Sequence, residues 1–310
     1  MAELPELFPG FRSEMVDGDG VKIHCRIGGD GPPLVCLHGF PQTHAMWHKL
    51  APALAARYTV VLPDLRGYGA SGLAATGSDF TAYSKREMAK DVVAVMNRLG
   101  FSRFRLAGHD RGARVAYRLA FDFPEAVEKL ALLDIIPTAA MWDGMTVERA
   151  MSAYHWLFLA QHEPLPELLI ARAPVQYLDH TLASWTKSHN LTSFDDRALA
   201  HYRAFYGQAE RVHATCEDYR AGASIDWDID RADQEAGRKI TTPTFVLWGS
   251  HGIPGGGNGP LQVWQNWAET VDGHEIDSGH FLCEEAPDET LAALLLFFED
   301  PEAEETGEAS

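Results

Sequence analysis

The sequence predicts an α/β fold, in which a mainly parallel sheet is flanked by helices and carries an inserted helical segment. Two observations support this prediction. Short apolar or β-branched runs alternate with windows of helical periodicity over residues 34–133 and again from residue 244, as in chains of strand–helix–strand units. Residues 138–238, by contrast, contain many helix-compatible windows and no convincing strand alternation. A chain of 310 residues is long enough to bury the core of such a fold.

The order of the predicted elements defines a core and an insertion. The predicted strands are Leu34–Leu37, Thr59–Leu62, Phe104–Ala107, Leu130–Leu133 and Thr244–Trp248. The predicted helices are Met46–Ala55, Lys85–Leu99, Ala113–Phe121 and Asp288–Phe298. Residues 1–137 and 239–310 are therefore assigned to the α/β core, and residues 138–238 to a helical cap. Ligands of open α/β sheets bind beyond the carboxyl ends of the strands, so we expect the cap to cover that edge.

The net charge of the chain argues against two classes of partner, nucleic acids and anionic membranes. Hydrophobic residues make up 46% and charged residues 23% of the sequence, as in ordinary globular proteins, but the formal net charge is −18. Nucleic acids and anionic membranes require a basic surface, so neither is expected as a partner. An anionic substrate would need local cations at its binding site to overcome the repulsion.

The cysteines and the N-terminal residues indicate in which cellular compartment the protein is expected. The four cysteines are scattered without a Cys-x-x-Cys pair, and we expect them to be reduced. The first residues lack the basic and apolar regions of a signal peptide, and the apolar run Leu291–Phe298 is too short to span a bilayer. The sequence therefore predicts a cytoplasmic protein.

The most informative motif is Gly108-His109-Asp110-Arg111-Gly112, between a predicted strand and a predicted helix. It resembles the nucleophile elbow of the α/β-hydrolases, Gly-x-Ser-x-Gly, with aspartate in place of serine. A carboxylate is already ionised at neutral pH, but with an acyl substrate it would form only a reactive anhydride. Attack on a saturated carbon that bears a halide or an epoxide oxygen instead gives an alkyl ester, which water can cleave. The alternative is a turn aspartate whose glycines only permit the bend.

Hydrolysis of such an ester needs a base, and the expected base is His280, in the loop before the last predicted helix. The acid that orients this histidine could follow either of two strands. Residues 249–253, after one strand, contain no carboxylate, whereas Asp134 directly follows Leu130–Leu133 and is the better candidate. A solvated loop histidine and a turn aspartate are the alternatives for these two residues.

The segment His38-Gly39-Phe40-Pro41 directly follows a predicted strand, as the oxyanion loop does in α/β-hydrolases. We expect the backbone amides of Phe40 and of Arg111, the residue after the nucleophile, to face the same small space. They would orient the carboxylate of Asp110 and then stabilise the tetrahedral intermediate of ester hydrolysis. A tight turn alone would also explain the glycine and the proline.

Nearly the whole chain is similar, in the order and spacing of its motifs, to the fluoroacetate dehalogenases. The residues that carry this resemblance are Gly108–Arg114, Asp134, His155, Trp156, Asp218–Arg220 and Ser278–His280. In that family the residue after the nucleophile is arginine, where haloalkane dehalogenases and many epoxide hydrolases have tryptophan. The resemblance implies a homodimer and a reaction that requires no cofactor and no metal.

The resemblance also implies two binding roles near the nucleophile. Arg111 and Arg114, at the start of one helix, would bind the substrate carboxylate. His155, Trp156 and Tyr219 would donate hydrogen bonds to the departing halide, because fluoride is a strongly basic leaving ion. Taken without the family, Arg114 could be a surface helix residue, Trp156 a core aromatic and Tyr219 an ordinary cap residue.

The function expected from these residues is displacement of fluoride from fluoroacetate, or of halide from other small 2-haloacids, by Asp110. Hydrolysis of the aspartyl ester with His280 as base would then release glycolate. One alternative is an epoxide hydrolase of the same fold, in which Tyr154 and Tyr219 would act as acids on the opening oxygen. Another is a non-catalytic binding protein with this fold.

Overall fold

The computed structural model describes residues 4–255, 257 and 259–299. The ends of the predicted core, residues 1–3 and 300–310, lie outside the described residues. The structure confirms the predicted α/β-hydrolase fold, with an eight-stranded sheet in the order β1-β2-β4-β3-β5-β6-β7-β8. The strands are β1 Arg12–Asp17, β2 Lys22–Gly28, β3 Pro33–Leu37, β4 Thr59–Pro63, β5 Phe104–His109, β6 Val127–Leu133, β7 Thr244–Gly249 and β8 Val271–Ile276. Only the pairings of β2 with β1 and β4 are antiparallel.

Helices cover the sheet and fill the insertion. They are α1 Ala51–Ala55, α2 Lys85–Arg98, α3 Arg111–Asp122, α4 Thr138–Asp143, α5 Val147–Ser152, α6 Tyr154–Leu159, α7 Leu165–Ile170, α8 Pro174–Trp185, α9 Asp196–Tyr206, α10 Ala209–Gly222, α11 Ile225–Glu235, α12 Gly259–Trp264, α13 Leu282–Glu285 and α14 Pro287–Phe298. Short helical turns at His44–Trp47 and Thr81–Tyr83 precede α1 and α2. Among the described residues, no helix is both long and apolar enough to cross a membrane.

Two parts of the element prediction differ from the structure. The predicted helix Met46–Ala55 is wrong as one helix: the turn His44–Trp47 ends before α1 begins. Proline lacks a backbone N–H and is tolerated only in the first turn, and Pro52 accordingly lies at the start of α1. Three strands of the structure, β1, β2 and β8, were not predicted from the sequence. β1 and β8 are edge strands with largely exposed, polar residues, so they lack the apolar signal of the central strands.

The insertion between β6 and β7 is helical. Its helices run from α4 to α11, and we refer to residues 138–238 as the cap. Buried polar contacts join it to the core: the Tyr117 hydroxyl donates to Asp230 Oδ2 at 2.7 Å, and Arg118 Nη1 donates to Asp233 Oδ2 at 2.6 Å. These contacts place the cap against α3, the helix that follows the nucleophile motif.

The parallel strands place the predicted site residues at one edge of the sheet. Leu37 at the end of β3 pairs with Gly108, and His109 at the end of β5 pairs with Leu133. β7 and β8 end at the same level, where Gly249 pairs with Ile276. The loops that follow these strands therefore meet, as expected for the carboxyl ends of parallel strands.

The glycines of the nucleophile motif allow α3 to lie against the sheet. A Cβ atom on Gly112 would lie 2.3 Å from the carbonyl oxygen of His38 and 2.6 Å from that of Leu37. A Cβ atom on Gly108 would lie 2.6 Å from the carbonyl oxygen of Gly112. These separations are far below van der Waals contact, and the neighbouring atoms are backbone. The motif therefore requires glycine at both positions.

We predict that Gly112→Ala destabilises the protein by about 1–3 kcal/mol, the usual cost of overpacking, although alanine is the better helix former by about 1 kcal/mol. Urea unfolding followed by circular dichroism measures the change. Gly259→Ala is the matched control, because a Cβ atom at this glycine of α12 meets nothing within 4 Å. A Gly112→Ala protein as stable as wild type would contradict the packing argument.

Candidate active site

Asp110 lies at the sharp turn between β5 and α3. Its backbone has φ 47° and ψ −116°, a conformation that residues with a side chain rarely adopt. The residue is 3% exposed and lies at the sheet edge where the loops meet. A strained turn at this point aims the carboxylate out of the core and into the space below the cap.

The Asp110 carboxylate is held in its ionised form. The backbone N–H of Phe40 donates to Oδ1 at 2.9 Å, and His280 Nε2 lies 3.9 Å from Oδ2. Burial raises the pKa of Asp110, but the positive charges of His280, Arg111 and other nearby groups outweigh burial and lower it overall. The carboxylate of this predicted nucleophile is therefore ionised at neutral pH.

His280 is brought between Asp110 and Asp134. Its Nδ1 lies 2.6 Å from Asp134 Oδ2, and its Nε2 has no hydrogen-bond partner among the described residues. Its backbone is anchored on both sides, since its N–H donates to the Trp185 carbonyl at 2.9 Å and its carbonyl lies 2.7 Å from His109 Nε2. Burial lowers the pKa of His280, but the hydrogen bond and charge of Asp134 outweigh it and raise the pKa.

Asp134 follows β6 and is itself fixed by backbone donors. Gly249 N–H donates to Oδ1 at 2.9 Å, and Ile253 N–H donates to Oδ2 at 3.1 Å. The end of β7 and the loop after it, which lack a carboxylate, thus supply the amides that hold the carboxylate following β6. Asp134, the predicted acid, lies within hydrogen-bond distance of His280 Nδ1, and Nε2 is left on the side of Asp110.

The predicted oxyanion loop is fixed at both ends. Leu65 N–H donates to His38 Nε2 at 3.0 Å, and His44 N–H donates to Asp64 Oδ1 at 2.8 Å. Between these anchors, the Phe40 amide points at the nucleophile. The second predicted donor, the amide of Arg111, belongs to the first turn of α3, where amides have no partner within the helix.

The two predicted arginines differ in their surroundings, a distinction the sequence did not predict. Arg111 Nε and Nη2 donate to Asp218 Oδ2 and Oδ1 at 2.9 and 2.7 Å. The Asp218 carboxylate also accepts the Tyr68 hydroxyl at 2.7 Å and pairs with Lys85 Nζ. No role of Asp218, Tyr68 or Lys85 could be predicted from the sequence, because only the folded chain brings these positions together.

Arg114 is a buried cation whose direct hydrogen-bond partners are neutral. Its Nη1 donates to the Ile136 carbonyl at 3.0 Å and to Thr138 Oγ1 at 3.1 Å, and its guanidinium lies over the Trp156 ring at 4.5 Å. Within the part of the chain that the structure describes, no carboxylate is paired with it, and its Nε is without a hydrogen bond. Burial lowers the pKa of Arg114, and it outweighs the opposite effect of the nearby Asp110 carboxylate.

The predicted halide donors surround the same space. Phe40 stacks on His155 with ring centroids 6.2 Å apart, and Tyr219 lies edge-on to both rings at 5.3 and 5.6 Å. Trp156 is next to Tyr219 at 6.3 Å. Burial lowers the pKa of His155 to about 3 and raises that of Tyr219, so the imidazole is neutral and the phenol keeps its proton.

Buried polar atoms without partners converge here. In the described chain they include Arg111 Nη1, Arg114 Nε, both ring nitrogens of His155, Tyr219 Oη and His280 Nε2. Buried polar atoms in native proteins are almost always hydrogen-bonded, to protein, water or ligand. Their concentration around an ionised carboxylate indicates a binding site for a small polar molecule.

One group of side chains has the composition of a metal site. The ligand atoms of His24, His44 and Asp64 lie within 4.8 Å of one another. However, His24 Nδ1 and His44 Nδ1 lie 3.0 and 2.9 Å from the Asp64 oxygens, at hydrogen-bond distance. Asp64 also accepts the His44 and Ala70 amides. These contacts fit a hydrogen-bonded cluster that anchors the oxyanion loop.

Comparisons with known proteins agree with this geometry. A model of the alpha/beta hydrolase fold family matches residues 32–287. A fluoroacetate dehalogenase from Burkholderia sp is 40% identical over 95% of this chain and 96% of the relative. A soluble epoxide hydrolase from Corynebacterium sp. (strain C12) is 33% identical over 90% of this chain and 94% of the relative. The crystal structure of a protein from Nostoc sp PCC 7120, described as an alpha/beta hydrolase, superposes with a TM-score of 0.89. That protein is 46% identical, and the match covers 94% of this chain and 99% of the Nostoc chain.

The match to the family model extends over most of the chain, and both relatives are covered almost from end to end. The fold, the strained aspartate turn and the loop donors are those expected of this architecture. The chain therefore belongs to the α/β-hydrolase fold family.

Proposed function

We propose that this α/β hydrolase is a hydrolytic dehalogenase that converts fluoroacetate, and other small 2-haloacids, to the hydroxyacid and halide. The observation that carries the proposal is a buried cation, Arg114, that lacks a carboxylate partner among the described residues and lies beside an ionised nucleophile. A buried unpaired charge is costly, so a site that keeps one is suited to an anionic ligand. The fluoroacetate dehalogenase relative at 40% identity supports the same substrate class.

The first step is displacement at the carbon that bears the halogen. Because Phe40 N–H holds Oδ1 of Asp110, we assign Oδ2 as the attacking oxygen. The new C–O bond forms as the carbon–halogen bond breaks, and the halide leaves with the bonding electrons. The neutral His155 imidazole, the Trp156 indole and the Tyr219 hydroxyl are the proposed donors to the departing halide. Arg111 and Arg114 bind the substrate carboxylate.

The second step is hydrolysis of the ester on Asp110. His280 Nε2 removes a proton from water, which attacks Cγ of Asp110, and Asp134 stabilises the resulting imidazolium. The oxygen held by Phe40 N–H becomes the oxyanion of the tetrahedral intermediate, with the Arg111 amide as the second donor. Collapse of the intermediate breaks the bond from Cγ to the substrate oxygen, which takes the proton back from His280 as the hydroxyacid leaves. The Asp110 carboxyl group formed in this way then loses its proton through His280 to water, which restores the carboxylate.

Epoxide hydrolysis is the second candidate, because the Corynebacterium relative is a soluble epoxide hydrolase and the Tyr219 hydroxyl is without a partner in the described chain. An epoxide is neutral and would leave Arg114 without a counterion. A fluoride-selective electrode assay with fluoroacetate, run beside an epoxide hydrolysis assay, separates the two functions. The homodimer and the cytoplasmic location stay predictions from the resemblance and the composition.

We predict that His280→Asn allows the first step and blocks the second, because the base acts only on the ester. The protein should gain one carboxymethyl group per chain on incubation with a haloacetate. Intact-mass and peptide mass spectrometry should locate this group on Asp110. The double variant Asp110→Ala/His280→Asn is the control and should gain nothing. A label on another residue would refute the proposed nucleophile.

We predict that Arg114→Gln reduces kcat/KM for fluoroacetate by roughly ten- to a hundredfold, the equivalent of losing a charge-assisted hydrogen bond of about 1.5–3 kcal/mol. The loss should be much smaller for fluoroacetamide, which has no carboxylate. Arg118→Gln is the matched control, since Arg118 lies one turn further along α3 and pairs with Asp233. Equal losses on both substrates with Arg114→Gln would mean that this arginine serves structure.

The raised pKa of His280 predicts the pH dependence of turnover. The imidazole must be neutral to accept a proton, so kcat should rise with pH through the raised pKa. Asp134→Asn removes the carboxylate that raises this pKa, so the rising limb should move to lower pH while the maximal rate falls. Fluoride release measured across pH for both proteins tests this. If the rising part of the pH–rate profile stays at the same pH in Asp134→Asn, the group that titrates is not His280.

A further inference from the structure

Arg111 belongs to the core, yet one turn of the cap helix α10 holds its guanidinium. Asp218 accepts Nε and Nη2 through its carboxylate, at 2.9 and 2.7 Å, and accepts Nη2 again through its carbonyl at 2.8 Å. The Tyr219 ring lies 4.2 Å from the guanidinium carbon. A Cβ atom on Gly222 would lie 3.0 Å from Nη2 and 3.5 Å from Nη1, so the absence of a side chain there leaves room for the arginine.

The same carboxylate is bound from the core by further groups. The Tyr68 hydroxyl donates to Asp218 Oδ2 at 2.7 Å, and Lys85 Nζ pairs with Oδ1. Lys85 Nζ also lies 3.3 Å from Asp226, on the next cap helix. Burial raises the pKa of Asp218, but the charges of Arg111 and Lys85 outweigh it and lower the pKa, so Asp218 stays ionised.

These contacts balance the charge of Arg111. Arg111 and Lys85 contribute two positive charges, and Asp218 and Asp226 contribute two negative charges. The net charge of this buried group is therefore close to zero. Arg111 contributes geometry to the site rather than net charge, and the charge that favours an anion is that of Arg114.

We infer that Asp218 and Gly222 are positioning residues for recognition of the substrate carboxylate. Together they fix the guanidinium of Arg111 so that Nη1 is its one nitrogen without a hydrogen bond among the described residues. The inference rests on the proposed role of Arg111 in carboxylate binding. Arg111 belongs to the core, and Asp218, which binds its guanidinium, belongs to the cap. Recognition of the substrate carboxylate therefore depends on contact between the cap and the core.

The sign of the effect distinguishes positioning from charge. Asp218→Asn removes a negative charge and would strengthen anion binding if net charge were decisive. If positioning is decisive, the same variant weakens anion binding because Arg111 loses its fixed orientation. Gly222→Ala perturbs the guanidinium without changing any charge, and alanine suits the helical backbone at this position.

The test compares Asp218→Asn and Gly222→Ala with the control Asp226→Asn. Asp226 is a buried cap carboxylate that also binds Lys85, at its N–H and its Nζ, but is not bonded to Arg111. For each protein, KM and kcat are measured with fluoroacetate and fluoroacetamide, and acetate affinity is measured by calorimetry.

We expect Asp218→Asn to raise KM for fluoroacetate and to weaken acetate binding by about tenfold or more. Gly222→Ala should give a smaller loss in the same direction. In both variants, KM for fluoroacetamide should change less than KM for fluoroacetate. In the control Asp226→Asn, any change in KM should be similar for the two substrates. If Asp218→Asn does not fold, Gly222→Ala carries the test.

Acetate binding by Asp218→Asn that equals or exceeds that of wild type would overturn the inference, as would equal losses on the charged and neutral substrates. Failure of the proposed function has a different signature. A wild-type protein that releases no fluoride but binds acetate, and loses that binding in both variants, would refute the dehalogenase and leave the positioning role standing.

Discussion

The site depends on one backbone constraint, the strained turn at Asp110. Its positive φ costs energy. Gly112 lets α3 approach the end of β3, and Gly108 lets the first turn of α3 approach β5, both within distances that no side chain would allow. The turn brings the carboxylate to the edge of the sheet. There the Phe40 amide from the loop after β3 and His280 from the loop after β8 both reach it. The α/β-hydrolase fold thus holds an ionised carboxylate, the proposed nucleophile, at the position where serine hydrolases have serine.

Buried charge organises the rest of the site. Asp134 pairs with His280, and Asp218 pairs with Arg111, each at hydrogen-bond distance. Arg114, by contrast, forms no ion pair with a carboxylate among the described residues. In a protein with a formal net charge of −18, this arrangement supplies local attraction for a small anion where the global field is repulsive. Aromatic side chains of the cap line the same space, and electrostatic interactions are stronger in such surroundings of low dielectric constant than in water.

The sequence was most informative where function depends on local structure. Asp110 and Asp134 directly follow central strands, and Phe40 lies in the loop after a third. Because the carboxyl ends of parallel strands meet, the convergence of these residues could be predicted. Contacts between distant segments could not: Lys85 and Asp218 are 133 positions apart, and nothing in either segment signals the pair. The role of Gly222 could not be predicted either, since a glycine at a helix end is common. β1 and β8 were missed because edge strands lack an apolar pattern.

The covalent ester on Asp110 is the central claim, and a single turnover in H₂¹⁸O tests it most directly. With enzyme in excess over fluoroacetate, the hydroxyl oxygen of glycolate should come from the Asp110 carboxylate. The first glycolate should therefore carry no ¹⁸O at its hydroxyl, while mass spectrometry of the Asp110 peptide should show one incorporated ¹⁸O. Glycolate labelled at its hydroxyl in the first turnover, with an unlabelled Asp110 peptide, would mean that water attacks the substrate directly and would contradict the account.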